Sequence, residues 1–148
     1  VGLRACCIWD DARYSMAARA FCLSSQFPAS MDALWAAACE AQRAAVRAIR
    51  PGVSLQTAAN VANDVLRAHG CRTDESRFLF AIGCARQERP YLLDASAQWP
   101  LLERMILVIA PTAALPSGQQ LCCADVFEVT ADGCTPLVAL RQEPLLLG

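Results

Sequence analysis

The segment IGCARQERPYL, Ile82 to Leu92, has the make-up of an active-site mouth: a Gly turn, a polar charged loop and a Pro-Tyr corner. It carries no His, no Ser and no obvious nucleophile. Other groups able to do chemistry are sparse. His69 is the only histidine, and it closes an apolar helical stripe, where a partly buried or C-terminal structural role is the simpler reading. Asp10-Asp11 reads as a hairpin turn. The nine cysteines include the adjacent pairs Cys6-Cys7 and Cys122-Cys123, with no CxxC or Cys/His zinc spacing. Reduced thiols in an intracellular compartment, cytoplasm or nucleus, fit that pattern best.

The elements that would position these groups follow from periodicity and punctuation. VGLRACCIW and YSMAARAFCL flank DDAR and carry the β-branched, aromatic and Cys content of a β-hairpin. From Met31 to Arg50, residues Met31, Leu34, Trp35, Ala38, Cys39, Ala45, Val46 and Ile49 recur at helical spacing, with Ser30 as the expected N-cap and Pro51-Gly52 as the stop. Ser54 caps a second helix whose stripe Leu55, Ala58, Val61, Ala62, Val65, Leu66 runs to His69 and ends at Gly70. Beyond Phe78 the pattern turns to strands: FLFAIG, RMILVIA, QLCCADVFEVT, and TPLVAL after the Asp132-Gly133 turn. Hairpin, two helices, antiparallel sheet is an α+β arrangement.

Composition limits what such a chain does. At 148 residues it is one domain at most, and 55% hydrophobic against 18% charged residues predicts apolar surface covered by something outside the chain. The longest apolar runs are of strand length, which excludes a membrane-spanning helix. A net charge of -1 without a basic cluster excludes an electrostatic nucleic-acid surface. All thirteen basic residues are Arg, which records codon bias in a GC-rich genome rather than a function. Val1 opens directly on a strand-like run without a signal peptide, so a fragment or an internal domain is expected.

Read in order, ARYSMAARAF, LFAIGC, QERP, MILVIAPT and ADVFEVTADG resemble landmarks of the pita-bread fold shared by methionine aminopeptidases, prolidases and creatinase. In catalytic members these read approximately A-R-Y-x-x-Y-x-S-D-x-x-R-T-F, G-H-G-I-G-L, H-E-x-P, M-x-x-x-I-E-P-G and E-D-T-V-x-V-T-x-D-G. The resemblance covers nearly the whole chain and implies a single pita-bread-like domain over residues 1–148. It would be incomplete at its N-terminal side and either part of a longer polypeptide or completed by a partner.

The family holds two divalent metals through two Asp, one His and two Glu, whose hard oxygens and imidazole lower the pKa of a bridging water. Carried over one at a time, these ligands fall on Ala5, Met16, Phe80, Ala110 and Ala124. The placement of Ala5 rests on spacing alone, with Asp10 or Asp11 nearby. The accessory substrate-contacting His falls on Gln87, while Glu88, Pro90 and Asp125 keep the family's letters. Four of the five ligand positions are plain hydrocarbon, and Met16 offers only a thioether, so the resemblance implies no metal, no cofactor and no metallopeptidase activity. Glu88 and Asp125 then anchor loops or pair with Arg86, Arg89 or Arg19; a catalytic carboxylate pair is the alternative.

A groove shaped to hold a peptide survives the loss of metals. The resemblance therefore implies a catalytically inactive protein- or peptide-binding or structural module in a larger assembly. It is comparable to the aminopeptidase-like domain of the FACT histone chaperone large subunit. The second reading is metal-independent small-molecule binding or catalysis in the apolar former active-site pocket. The missing upstream half predicts a partner contact centred on Trp9 and Trp35.

Overall fold

In the computed structural model of the chain, the described residues are 2–10, 13–23, 25–73, 78–85, 87–92, 94–138 and 141–146, with the side chains of 2–10 and 13 left out of the description. The expected hairpin is formed by β1 (Gly2–Asp10) and β2 (Arg13–Cys22), antiparallel from Gly2↔Phe21 to Asp10↔Arg13.

Helix α1 (Ala29–Ala48) starts and stops earlier than its periodicity suggests. Ser30 is not its cap. Pro28 holds the N-cap position at φ -60, and its carbonyl accepts from the Met31 and Asp32 amides at 2.9 Å, so Ser30 falls inside the first turn. At the other end Arg50 precedes Pro51, whose ring disfavours the α conformation, and the chain is already extended at Ile49. Helix α2 (Leu55–Ala68) begins as read, with Ser54 Oγ accepting from the Thr57 amide at 3.2 Å. The turns around the pair use Gly52 (φ 86) and Gly70 (φ 69), left-handed positions that suit a residue without Cβ.

Seven further strands and one 3₁₀ turn follow before the chain's last strand. They are β3 (Leu79–Ala81), β4 (Glu88–Tyr91), the turn Ala95–Gln98, β5 (Ile106–Ile109), β6 (Thr112–Ala114), β7 (Gln120–Cys122), β8 (Asp125–Val129) and β9 (Cys134–Pro136). QLCCADVFEVT is therefore two strands. The break at Cys123-Ala124 is where the chain leaves its pairing with β6 and joins β5. Of TPLVAL, Thr135 and Pro136 are strand, Leu137 and Val138 are half exposed, and residues 139–140 lie outside the described residues. The last strand, β10 (Leu145–Leu146), runs parallel to β2 and covers the edge that β1 leaves free.

The architecture is mixed α+β, a curved, unclosed antiparallel sheet of order β4-β3-β5-β8-β9 with two main helices, as part of a pita-bread fold would be. Alternation along the strands sorts side chains onto two faces. Leu79, Ala81, Leu107, Ile109, Phe127 and Val129 pack in the main core with the helices. Phe80, Ile82, Val108, Ala110, Ala124 and Val126 form a second cluster with β2.

The apolar side of α1 is packed within the chain. Ala37, Ala38, Ala41 and Ala45 let α2 and the sheet approach closely, and Trp35 is only 4% exposed. Its indole N–H donates to the Gln142 carbonyl at 2.6 Å, so the chain's own C-terminal segment covers the place assigned to a partner. The Trp9 side chain lies outside the described residues.

Candidate functional site

The hairpin meets the sheet through backbone bonds that bring β2 over the second face. Ala18 and Ala124 exchange N–H to carbonyl bonds at 3.0 and 3.3 Å, and the Tyr14 amide donates to the Gly83 carbonyl at 3.0 Å. The resulting cluster unites positions far apart in sequence: Phe80 on β3, Ala110 after β5, Ala124 before β8 and, partly buried beside them, Met16 on β2. Four of the five positions on which the resemblance places metal ligands are thus neighbours in one apolar cluster. The fifth, Ala5, pairs with Ala18 in the hairpin register, its side chain undescribed.

These residues do not fit a metal. One thioether among a phenyl ring and methyl groups is no donor set for a hard divalent cation, which takes carboxylate, imidazole or water ligands. Among the described residues no group of three or more His, Cys, Asp or Glu could hold an ion.

Behind the cluster runs a buried polar network. Arg19 on β2 pairs with Asp125 at 2.6 Å and donates to the carbonyls of Ala18, Ala124 and Arg141. The other Asp125 oxygen accepts from Gln42 Nε2 at 3.1 Å, and that amide also reaches the Ile109 carbonyl at 3.0 Å. Gln142 closes the set, donating to Gln42 Oε1 at 2.8 Å and accepting from Arg43 at 3.1 Å. Of the three arginines considered as partners for Asp125 or Glu88, Arg19 is the one seen on Asp125; Arg86 lies outside the described residues. Gln42 was missed in the sequence, although a polar residue one turn after Cys39 on an otherwise apolar helix face was the available signal.

The loop Ile82 to Leu92 is held by its own side chains. Glu88 Oε1 accepts from the Ala85 amide at 2.8 Å, and the carboxylate lies over Gly83. Arg89 pairs with Asp94, whose carboxyl is held below its usual range first by hydrogen bonds from Ser96. Pro90 is fully buried and Gln87 exposed. Cys84, passed over in reading this segment as lacking a nucleophile, carries an exposed thiol. Glu88 and Asp125 make separate sets of bonds, one within the loop and one with Arg19 and Gln42. His69 caps α2 at the surface with Nε2 2.9 Å from Glu40 on α1, a link between helices.

Gly83→Ala tests the loop directly. A Cβ there would sit 2.9 Å from Glu88 Oε2, so the carboxylate must withdraw from the Ala85 amide. The expected loss is about 1 kcal/mol in urea unfolding. Little further loss is expected when the same substitution is made in a Glu88→Ala background.

A curved sheet with a helix pair on one face and a hairpin folded over the other defines a chain of the pita-bread, aminopeptidase-like class. The profile of metallopeptidase family M24 matches residues 1–131, and the chain belongs to that family. Among solved structures it is similar to the dipeptidase PepE from Mycobacterium ulcerans, at 26% identity and a TM-score of 0.84 over 98% of this chain and 39% of that one. An X-Pro aminopeptidase from Thermotoga maritima superposes with a TM-score of 0.88 at 17% identity, covering 97% of this chain and 41% of that one. A methionine aminopeptidase from Rickettsia prowazekii gives 0.80 at 14% identity, covering 90% and 62%. The two lower identities show the fold alone. A search of curated proteins finds no significant match.

Proposed function

We propose that this is a non-catalytic member of the family, a peptidase-like domain that serves as a protein- or peptide-binding or structural module in a larger assembly. The observation that carries the reading is the packing of Met16, Phe80, Ala110 and Ala124 in one apolar cluster where the family's ligands are placed. Such a set cannot activate a water by metal coordination, and the acids kept nearby are engaged in structural bonds: Asp125 by Arg19 and Gln42, Glu88 by Ala85. The functional parallel is the aminopeptidase-like domain of the FACT large subunit.

Residues 1–148 act in this reading as one pita-bread-like domain, completed by further polypeptide or by a partner. In support, the chain spans 39% and 41% of the dipeptidase and X-Pro aminopeptidase it resembles. The free thiols among the described cysteines accord with a reducing compartment, cytoplasm or nucleus. The small-molecule reading needs room at the former site, and the seating of Phe80 and Met16 within the cluster speaks for the binding module instead.

Calorimetric titration with manganese, cobalt and zinc at neutral pH, run beside turnover assays on dipeptide and X-Pro substrates, tests this. The expected outcome is heat of dilution only and no turnover. Stoichiometric metal binding accompanied by peptide hydrolysis would overturn the reading, whereas saturable binding of an apolar small molecule without metal would favour the second one.

A further inference from the structure

The 141–146 segment lies in a seat built from α1 and β2. Side chains receive two of its backbone carbonyls: that of Arg141 accepts from Arg19 Nε and that of Gln142 from Trp35 Nε1, both at 2.6 Å. The Gln142 side chain is held at both ends, Oε1 accepting from Arg43 at 3.1 Å and Nε2 donating to Gln42 Oε1 at 2.8 Å. Further along, Leu145 and Leu146 pair in parallel with Phe21 and Cys22.

The core fixes the seat, while its occupant lies shallow. Gln42 is buried and commits its Nε2 to the Ile109 carbonyl and Asp125, so its Oε1 meets the segment as an acceptor. Trp35 is buried on α1, and Arg19 is held by Asp125 and the Ala18 and Ala124 carbonyls. Emptied, the seat would strand the Trp35 N–H and leave Gln42 Oε1 with the Cys123 thiol, at 3.4 Å, as its donor among the described residues. Buried polar groups are costly to leave so, and the seat calls for an occupant. The resident contributes only a two-residue strand, with Leu145 and Leu146 half exposed and Leu23, one residue beyond the pairing, 75% exposed. A segment held this way opens locally at small cost.

We propose that this seat is an exchangeable docking site for an extended segment of a partner protein, one that presents Gln followed three and four residues later by two apolar side chains, as Gln142, Leu145 and Leu146 do. The proposal rests on the binding-module reading and places the peptide against α1 and β2, outside the cluster of Met16, Phe80, Ala110 and Ala124. Carbonyl contacts tolerate any side chain at the first position, whereas the primary amide discriminates. Glu lacks the N–H that Gln42 Oε1 takes, Lys lacks the acceptor that Arg43 meets, and Asn is one methylene short. The apolar pair adds a parallel strand to β2, the way extended peptides join a sheet edge. The tethered resident competes at an effective concentration of about millimolar. An incoming segment prevails by covering Leu23, which the resident leaves open. A second copy brings only the contacts that it already makes within itself.

The test titrates the full chain against a fluorescein-labelled peptide of sequence RQEPLLLG, read by anisotropy, and follows amide exchange of the 141–146 segment by mass spectrometry. Saturable binding is expected, about tenfold tighter for the Gln142→Ala chain because its resident segment competes less. Exchange across 141–146 should quicken as peptide is added. A peptide with Glu in place of its Gln should bind about tenfold more weakly. No saturable binding to either chain, equal binding of the Glu peptide, or binding that leaves 141–146 exchange unchanged would each overturn the proposal. Dimers that trade the segment between copies would overturn its assignment to a partner. The unmutated chain decides by exchange and by the Glu peptide even if Gln142→Ala fails to fold. Metal titration and turnover are separate readouts, so a failure here leaves the non-catalytic reading standing.

Discussion

Ala124→Glu is expected to destabilise the fold by about 3–5 kcal/mol, because it sets an unpaired carboxylate among hydrocarbon. Ala124 is 0% exposed, and the buried members of its cluster, Ala18, Phe80, Ile82, Val108, Ala110 and Val126, offer no side-chain donor; Tyr14, Tyr91 and Cys122 lie partly buried at its margin. Size contributes too, and Ala124→Met separates the two effects: overpacking alone should cost about 1–3 kcal/mol. The charge component also has a pH signature. Burial raises the folded-state pKa of the new Glu above its unfolded value, so between the two the folded state binds more protons and stability falls as pH rises. The deficit of Ala124→Glu relative to Ala124→Met should therefore shrink as pH is lowered toward the unfolded carboxylate range, whereas a pH-independent difference would show the new side chain reaching solvent. Extending the change to Ala5→Asp, Met16→Asp, Phe80→His and Ala110→Glu should leave a chain several kcal/mol less stable without metal, on the scale of the ~5–15 kcal/mol that holds an ordinary domain together. Urea unfolding with and without manganese measures this, and added metal should recover part of the loss.

How far the sequence disclosed this arrangement depends on whether the signal was local. Ser54, Gly52 and Gly70 marked the helix pair because caps and left-handed turns are set within a few residues. Periodicity along α1 began late and ran past the true C-terminal end, since the rigid rings of Pro28 and Pro51 act on the backbone and leave the spacing of apolar residues unchanged. The single strand read across QLCCADVFEVT divides where Ala124 is recruited by Ala18, a partner more than a hundred residues away. β4 escaped notice because ERPY is polar and contains a proline. Trp35 illustrates the same limit: a large aromatic on an amphipathic helix suits a core or an interface equally, and a carbonyl 107 residues further on decides for the core. The ordered motifs, by contrast, single out Met16, Phe80, Ala110 and Ala124 each by a local landmark, and the fold gathers these four residues in one apolar cluster.

Removing Arg19 is the other change expected to have a large effect. Its side chain is 13% exposed and that of Asp125 8%, so Arg19→Leu leaves a carboxylate out of water with the Gln42 amide as its remaining side-chain donor among the described residues. The expected cost is about 3–5 kcal/mol, against the ~0–1 kcal/mol typical of a solvated surface pair. Asp125→Leu should cost a similar amount by stranding the guanidinium, although its bonds to the Ala18, Ala124 and Arg141 carbonyls temper the loss. The double variant should lose much less than the sum, because no unpaired buried charge remains. A urea double-mutant cycle reads the coupling, and additive single losses would show that the pair is screened by solvent. The cycle also explains why a carboxylate stands next to an alanine here. Successive residues of a strand face opposite ways, so Ala124 looks toward the apolar cluster while Asp125 looks toward α1, Gln42 and Arg19. Among the described residues a carboxylate on the first face has no cation to meet and one on the second has Arg19, so chemistry can vanish from one side of β8 while the other keeps a charge that the fold requires.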